Sequence, residues 1–134
     1  MKTKHVILAA ALILVSSVAS AGLYQPQELI LDMTNRTASG DMLTVRNSAN
    51  PTEFIGCGIR HVSGFATGFC QAGFSQVDGE FFTCFTDDPS LLEAIRALDD
   101  FSYIIFRWDV DGKCTSIGNS TQSFYLPDFK AKTK

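Results

Sequence analysis

Few side chains of this sequence are suited to acid–base catalysis, and His61 is the first of them. A neutral imidazole near a strand end can accept or donate a proton, provided that a second catalytic group lies within hydrogen-bond reach. Glu80 and Arg107 are the candidate partners. The three residues would suit a small secreted hydrolase, nuclease-like, that uses His61. Since nothing in the sequence places a carboxylate behind His61, a histidine without a catalytic role is the favoured interpretation.

The other reactive side chains form no complete motif. The sequence has no Gly-x-Ser-x-Gly elbow around a nucleophilic serine. The stretch from Asp109 to Gly112 resembles the start of a calcium loop, but its glycine is fourth rather than sixth. A type I′ turn at Asp111-Gly112 explains the same residues without an ion. We therefore expect no cofactor and no metal site, and no motif identifies a family.

Four cysteines, an even number, predict two disulfides in an oxidising compartment: Cys57, Cys70, Cys84 and Cys114. The absence of a Cys-x-x-Cys pair argues against a zinc or redox centre. If Ser63-Gly64 forms a two-residue turn, Cys57 lies directly opposite Cys70 at a non-hydrogen-bonded position, where side chains approach most closely. This register favours Cys57 with Cys70 and Cys84 with Cys114, although spacing alone leaves two other pairings open.

Residues 1–21 have the three regions of a secretory signal peptide. Lys2 and Lys4 precede an apolar run from Val6 to Val15, and the small residues of Ala19-Ser20-Ala21 follow. The apolar run is ten residues long, whereas a transmembrane helix needs about 20. We expect cleavage after Ala21 and export, to the periplasm or the extracellular space, of a soluble domain without a stable membrane anchor.

The charge of the exported part argues against one class of partner. The signal peptide contains two of the eleven basic residues and none of the fourteen acidic ones, so its removal changes the net charge from −3 to −5. A nucleic-acid-binding surface needs clustered Lys and Arg, and we therefore expect no nucleic acid partner. The only basic cluster is the tail at residues 130–134, with Lys130, Lys132 and Lys134, which we interpret as a frayed chain end.

Residues 22–129 predict a single α+β domain. Residues 22–53 form a polar N-terminal segment, with a short segment at Glu28–Met33 and a strand near Met42–Asn47. Residues 54–129 form the disulfide-stapled core. From Phe54 to Phe85, turn dipeptides at Ser63-Gly64 and Asp78-Gly79 predict a three-stranded antiparallel meander.

A helix and a hairpin follow the meander. Asp88 can cap a helix that begins at Pro89 and runs to about Leu98. The remaining predicted elements are a central strand within Phe101–Trp108 buried on both faces, a return strand over Lys113–Gly118 and a short strand over Ser123–Leu126. The predicted fold is thus an antiparallel sheet of about five strands with one helix packed on it.

The aromatic content is the one feature that suggests a function. All eleven phenylalanines follow residue 21, and one helix can cover only one face of a sheet. Rings left on an open face would bind another protein or an apolar ligand. The favoured interpretation of these rings is that the N-terminal segment covers the second face and completes an ordinary core. Our prediction is a non-enzymatic binding or inhibitor module, with a hydrolase or a structural, envelope-associated protein as alternatives.

Overall fold

The computed structural model describes residues 22–127. The predicted signal peptide and the basic tail lie outside these residues. Within residues 22–127 the chain forms seven strands in two antiparallel sheets, two α-helices and one short 3-10 helix. The domain is α+β, as predicted, but its strands are divided between two sheets instead of forming one sheet of about five.

The elements have the following bounds. The four-stranded sheet contains β1 (Ile30–Asp32), β2 (Thr37–Asp41), β6 (Tyr103–Trp108) and β7 (Cys114–Ser120), in that order. The three-stranded sheet contains β3 (Phe54–Val62), β4 (Phe65–Gly73) and β5 (Phe81–Thr86), in that order. The helices are α1 (Met42–Arg46), α2 (Pro89–Arg96) and the 3-10 helix Ser123–Tyr125. None of the helices within residues 22–127 is long and apolar enough to cross a membrane.

The predicted meander is the three-stranded sheet, and its register is confirmed. Ser63 and Gly64 both have positive φ, 51° and 84°, as a type I′ turn requires. Val62 therefore pairs with Phe65 at the end of β3 and β4. Further along the same two strands, the register places the first two cysteines opposite each other.

Both predicted disulfides are present, and no cysteine is free. Cys57 is bonded to Cys70 within the β3–β4 hairpin, with a Cα–Cα distance of 4.0 Å. Cys84 is bonded to Cys114 and joins β5 to β7, that is, one sheet to the other. Two disulfides in one small domain are typical of proteins exported to an oxidising compartment.

The two sheets share one core. Their inward faces contribute buried side chains that include Ile55, Ala72, Ile104 and Phe106. Phe82 on β5 stacks on Trp108 of β6 with ring centroids 4.3 Å apart. The N-terminal segment supplies β1, β2 and α1 to this arrangement. It therefore completes the layer that covers the inner face of the meander and leaves the opposite face of the meander open.

Helix α2 begins as predicted. The Asp88 carboxylate accepts hydrogen bonds from the amides of Ser90, at 2.8 Å, and Leu91, at 3.2 Å. Hydrogen bonds to the ionised carboxylate, from the Ser90 hydroxyl first and then from these two amides, lower the pKa of Asp88. Leu92 and Ile95 are buried on one face, and the helix ends at Arg96, two residues before the predicted end.

The predicted strand near Met42–Asn47 is wrong, because these residues form α1. Asp41 at the N-cap accepts a hydrogen bond from the Thr44 amide at 2.7 Å. The same carboxylate, almost fully buried, accepts from the Gln27 amide at 2.6 Å. These two backbone donors satisfy the carboxylate and stabilise one turn of helix, which outweighs the weak strand propensity of the segment.

The predicted strand at Ser123–Leu126 is also wrong. Residues Ser123–Tyr125 form a 3-10 helix, in which Tyr125 is buried and packs against Tyr103 with ring centroids 5.9 Å apart. Burial, with smaller contributions from Tyr103 and Asp41, raises the pKa of Tyr125. The buried ring, and not strand pairing, therefore holds this segment against the four-stranded sheet.

The C-terminal hairpin differs from its prediction in two details. Strand β6 begins at Tyr103 and is an interior strand, but its exposed Arg107 means that only one of its faces is fully buried. Of the two turn residues Asp111 and Gly112, only Gly112 has positive φ, 78°, so the turn is not type I′. The Asp109 carboxylate instead accepts from two amides of the loop, each at 2.9 Å.

Candidate functional site

The outer face of the three-stranded sheet is the candidate site. Side chains alternate between the faces of a strand, and α2 packs on the inner face, where Gly68 lies close to Leu92 and Ile95. The opposite face carries ten side chains that we call the aromatic face. They are Phe54, Arg60, Val62, Phe65, Thr67, Phe69, Gln71, Phe81, Thr83 and Phe85.

Five of these ten residues are phenylalanines, and two of them are largely exposed. Phe65 has 78% and Phe85 53% of its surface accessible to solvent. Phe54, Phe69 and Phe81 are half-buried. An exposed ring contacts water with most of its apolar surface, so covering this face would be favourable in free energy.

Glycines on neighbouring strands make room for the half-buried rings. A Cβ atom on Gly58 would lie 2.8 Å from the ring of Phe69, and one on Gly73 would lie 2.9 Å from the ring of Phe54. These rings therefore lie across the backbone of the adjacent strand, where a larger residue would displace them. The glycines of the meander thus allow aromatic rings to lie flat against the strands of this face.

Arg60 is the only charged residue among the ten that define the aromatic face. Its guanidinium carbon lies 5.0 Å from the centroid of the Phe69 ring, a cation–π geometry. Within residues 22–127 no carboxylate lies within ion-pair distance of Arg60. The arginine is thus held on a ring and keeps its charge available to a partner.

An open depression of about 770 Å³ lies at the other end of the face. It is lined by Pro51, Thr52, Phe54, Gln71, Gln76 and Phe81. Two rings form its apolar part, and the two glutamine amides can each donate and accept hydrogen bonds. The depression suits a group that is largely apolar and carries uncharged hydrogen-bonding atoms.

The three candidate catalytic residues are not brought together. His61 is exposed near the turn between β3 and β4, whereas Glu80 precedes β5 at the other end of the meander. On β4, the residue opposite His61 is Ala66, and the residue opposite Phe81, which follows Glu80, is Gly73. These two positions are seven residues apart, which corresponds to about 23 Å along the strand. Glu80 accepts a hydrogen bond from Ser75 at 2.5 Å, and Arg107 is exposed on the other sheet. The structure therefore does not bring His61, Glu80 and Arg107 together into one site.

No cluster of three or more metal-ligating side chains (His, Cys, Asp or Glu) occurs among residues 22–127. The Asp109 carboxylate of the calcium-like stretch binds backbone amides of its own loop, as described above. The aromatic face itself offers a partner phenylalanine rings, the Gln71 amide and the guanidinium group of Arg60.

Comparison with known proteins identifies no relative: neither a family model, nor a curated protein, nor a solved structure matches the chain. The fold and site define a disulfide-bonded α+β domain with an exposed aromatic sheet face. The function must be inferred from these residues alone.

The sequence contained a signal for the open face that composition alone missed. Bonded cysteines point into the core, so residues an even number of positions away on the same strand point inward as well. By this rule Phe82, two residues before Cys84, is internal, while Phe81 and Phe85 are external. The structure agrees, since Phe82 stacks on Trp108 and Phe85 is exposed.

Substituting Gly73 should disturb the packing of the half-buried rings of Phe54 and Phe81 on the aromatic face. An added Cβ would lie 2.4 Å from the Cβ of Phe81 and 3.0 Å from the carbonyl oxygen of Glu80, so the backbone must shift. We expect Gly73→Ala to lower the free energy of unfolding by about 1–3 kcal/mol in urea denaturation. Gly56→Ala is the matched control, because nothing lies within 4 Å of its added Cβ. Equal losses in the two variants would contradict this packing role.

Proposed function

We propose that this chain is an exported, non-enzymatic binding module whose binding surface is the aromatic face. The observation that carries the proposal is the exposure of Phe65 and Phe85 on one face of a disulfide-stapled sheet. Large exposed apolar patches are rare on monomeric proteins and usually mark a surface that binds a partner or ligand.

The composition of the face supports the same function. Aromatic residues and arginine contribute most of the binding energy at protein interfaces, whereas Lys, Glu and Asp are depleted there. Phe65, Phe69 and Arg60 lie together on the face, and no acidic residue is among the ten that define it. Because the rings are already positioned by a rigid sheet, little conformational entropy is lost on binding.

The partner that fits best is another protein, and an apolar ligand is the second possibility. A protein segment offers apolar side chains for the rings together with amides for Gln71 and Gln76 at the depression. An exported location for this encounter follows from the two disulfides and from the signal peptide that we infer at residues 1–21. The hydrolase alternative gains no support, because His61 and Glu80 lie at opposite ends of the meander.

The test compares partner capture by the exported chain and by a Phe65→Ser/Phe85→Ser variant, using the medium or extract of the producing culture. We expect the wild-type chain to retain at least one protein with at least tenfold higher recovery than the variant. A tenfold difference corresponds to about 1.4 kcal/mol, well within the cost of removing two interface rings. If the partner is instead an apolar ligand, the wild-type chain should enhance the fluorescence of anilinonaphthalene sulfonate and the variant should not.

Val110→Ser/Leu23→Ser is the matched control, since both residues are exposed, at 77% and 69%, and lie outside the aromatic face. It removes a similar amount of exposed apolar surface and should behave as the wild type. Identical recovery and dye fluorescence for all three chains would refute a binding role for the aromatic face.

A further inference from the structure

Strand β3 is an edge strand with one side unpaired. It is nine residues long and pairs with β4 alone among the described strands. An edge strand of this length displays a row of backbone donors and acceptors that another strand can use, and natural proteins usually cover or interrupt such edges. The residues of β3 near its turn, Arg60, His61 and Val62, are exposed.

The hairpin register determines which backbone groups point outward. The type I′ turn makes Val62 and Phe65 a hydrogen-bonded pair, and bonded and non-bonded pairs alternate from there. Cys57 and Cys70 are then a non-bonded pair, in agreement with their short Cα–Cα distance of 4.0 Å. The residues whose N–H and C=O groups are directed toward the open edge are Ile55, Cys57, Ile59 and His61.

The sequence of β3 is complementary to itself about Cys57. Ile55-Gly56-Cys57-Gly58-Ile59 is the same in both directions. If two copies pair antiparallel with Cys57 opposite Cys57, each Gly56 faces a Gly58 and each Ile55 faces an Ile59. The backbone N–H and C=O groups of Cys57 are directed toward the open edge. On this axis the two Cys57 residues therefore form a hydrogen-bonded pair, as the new ladder requires.

The flanking residues are complementary as well. In this register Phe54 faces Arg60 of the second copy, and Glu53 faces His61 of the second copy. The first pair joins a ring and a guanidinium group, and the second joins a carboxylate and an imidazole, which can donate a hydrogen bond to it. Within one copy, Glu53 and His61 are eight residues apart on an extended strand, about 26 Å, so they can interact only between copies.

The aromatic face is uncovered next to the proposed axis. Nothing lies within 4 Å of the position of a Cβ on Gly56, which is on that face. Beside Glu53 and Ile55, a groove of about 350 Å³ separates the start of β3 from α1. This groove can receive the end of the second copy's β3, and its wall carries two carboxylates, Glu53 and Asp100, against one guanidinium group, Arg46, so its net charge is negative.

We propose that two copies of this chain associate through β3, antiparallel about a twofold axis at Cys57, into a continuous six-stranded sheet. The two aromatic faces then lie side by side on the same surface of that sheet and double the area offered to a partner. The inference rests on the backbone edge and the register of β3, so it can fail while the proposed binding function of the aromatic face stands, and the reverse.

Charge exchange across the interface tests this register in sedimentation equilibrium of the full exported chain. We expect a dimer for the wild type and a dissociation constant at least tenfold higher for His61→Glu, which places two carboxylates opposite each other at both ends of the interface. The Glu53→Lys/His61→Glu double variant should recover the wild-type constant, because opposite charges again face each other. Thr115→Glu, at an exposed position on β7, adds the same charge elsewhere and should leave the dimer unchanged.

Several outcomes would overturn the proposal. They are a wild-type chain that is monomeric at about 100 µM, a dimer indifferent to His61→Glu, and a double variant that stays as weak as His61→Glu alone. Unchanged circular dichroism would show that each variant is folded, as expected for an exposed position. A Phe65→Ser/Phe85→Ser chain that loses its partner but remains dimeric would separate this interface from the aromatic face.

Discussion

Replacing Cys84 and Cys114 together by alanine is expected to lower the free energy of unfolding by about 3.6 kcal/mol, the chain-entropy value for the loop that the bond closes. The two cysteines are 30 residues apart in sequence and join the two sheets. Without the bond, the Phe82–Trp108 stack and the hydrogen bond that the Phe85 amide donates to the Gly112 carbonyl, at 3.2 Å, still hold β5 against the β6–β7 hairpin. A loss of this size is a large fraction of the 5–15 kcal/mol that typically stabilises a domain.

Guanidinium unfolding of oxidised protein measures the effect, with Cys57→Ala/Cys70→Ala as the matched control. That bond spans 13 residues within one hairpin, so the same relation gives a smaller loss, about 2.9 kcal/mol. The backbone ladder between β3 and β4 already holds those cysteines together. If the Cys84→Ala/Cys114→Ala variant were as stable as the wild type, the stabilising role that we assign to this bond would be wrong.

Phe106→Ala should destabilise the domain by about 3–5 kcal/mol, through the lost transfer free energy of the ring and the cavity it leaves. Phe106 is fully buried in the interior strand β6, opposite Ala38 on one neighbour and Ile117 on the other. Its ring also contacts Trp108, with centroids 5.8 Å apart. The small side chain of Ala38 cannot fill the cavity left by the ring. Relaxation of the surrounding structure therefore offsets little of the lost stability.

Thermal or urea unfolding of this variant should be compared with Phe65→Ala. The control removes the same ring from a position that is 78% exposed, and we expect a change within about 0.5 kcal/mol. Comparable losses in the two variants would mean that Phe65 is part of the core, which would contradict both the packing described here and the open aromatic face.

Together these expectations separate two groups of rings on the same few strands. Phe82 and Phe106 point inward and stabilise the domain, whereas Phe65 and Phe85 point outward and contribute little to stability. Exposed rings that contribute little to stability are the ones that the proposed binding function would use. The inner rings and disulfides thus allow the outer rings to remain uncovered.

Elements governed by local chemistry could be predicted from the sequence. The β3–β4 turn follows from Ser63-Gly64, and the start of α2 follows from Asp88 and Pro89, because each depends only on a few adjacent residues. The disulfide pairing also follows, since a two-residue turn determines which cysteine lies opposite Cys57. The export signal at residues 1–21 remains a sequence prediction, and so does the basic tail.

Elements governed by distant contacts could not be predicted. Helix α1 depends on a carboxylate, Asp41, that also accepts the amide of Gln27, fourteen residues away. The 3-10 helix at Ser123–Tyr125 depends on a ring that is buried against Tyr103. In both cases the burial of one side chain determines the backbone, and propensity within a short window carries no information about that burial.

The sequence by itself determined the meander and its register, favoured the observed cysteine pairing, and determined the abundance of phenylalanine. Only the tertiary structure decided that the N-terminal segment joins β6 and β7 in a second sheet, and therefore which face of the meander is covered. The reason is physical: strand alternation places Phe65 and Phe85 on one side, but whether that side meets water depends on where the rest of the chain packs.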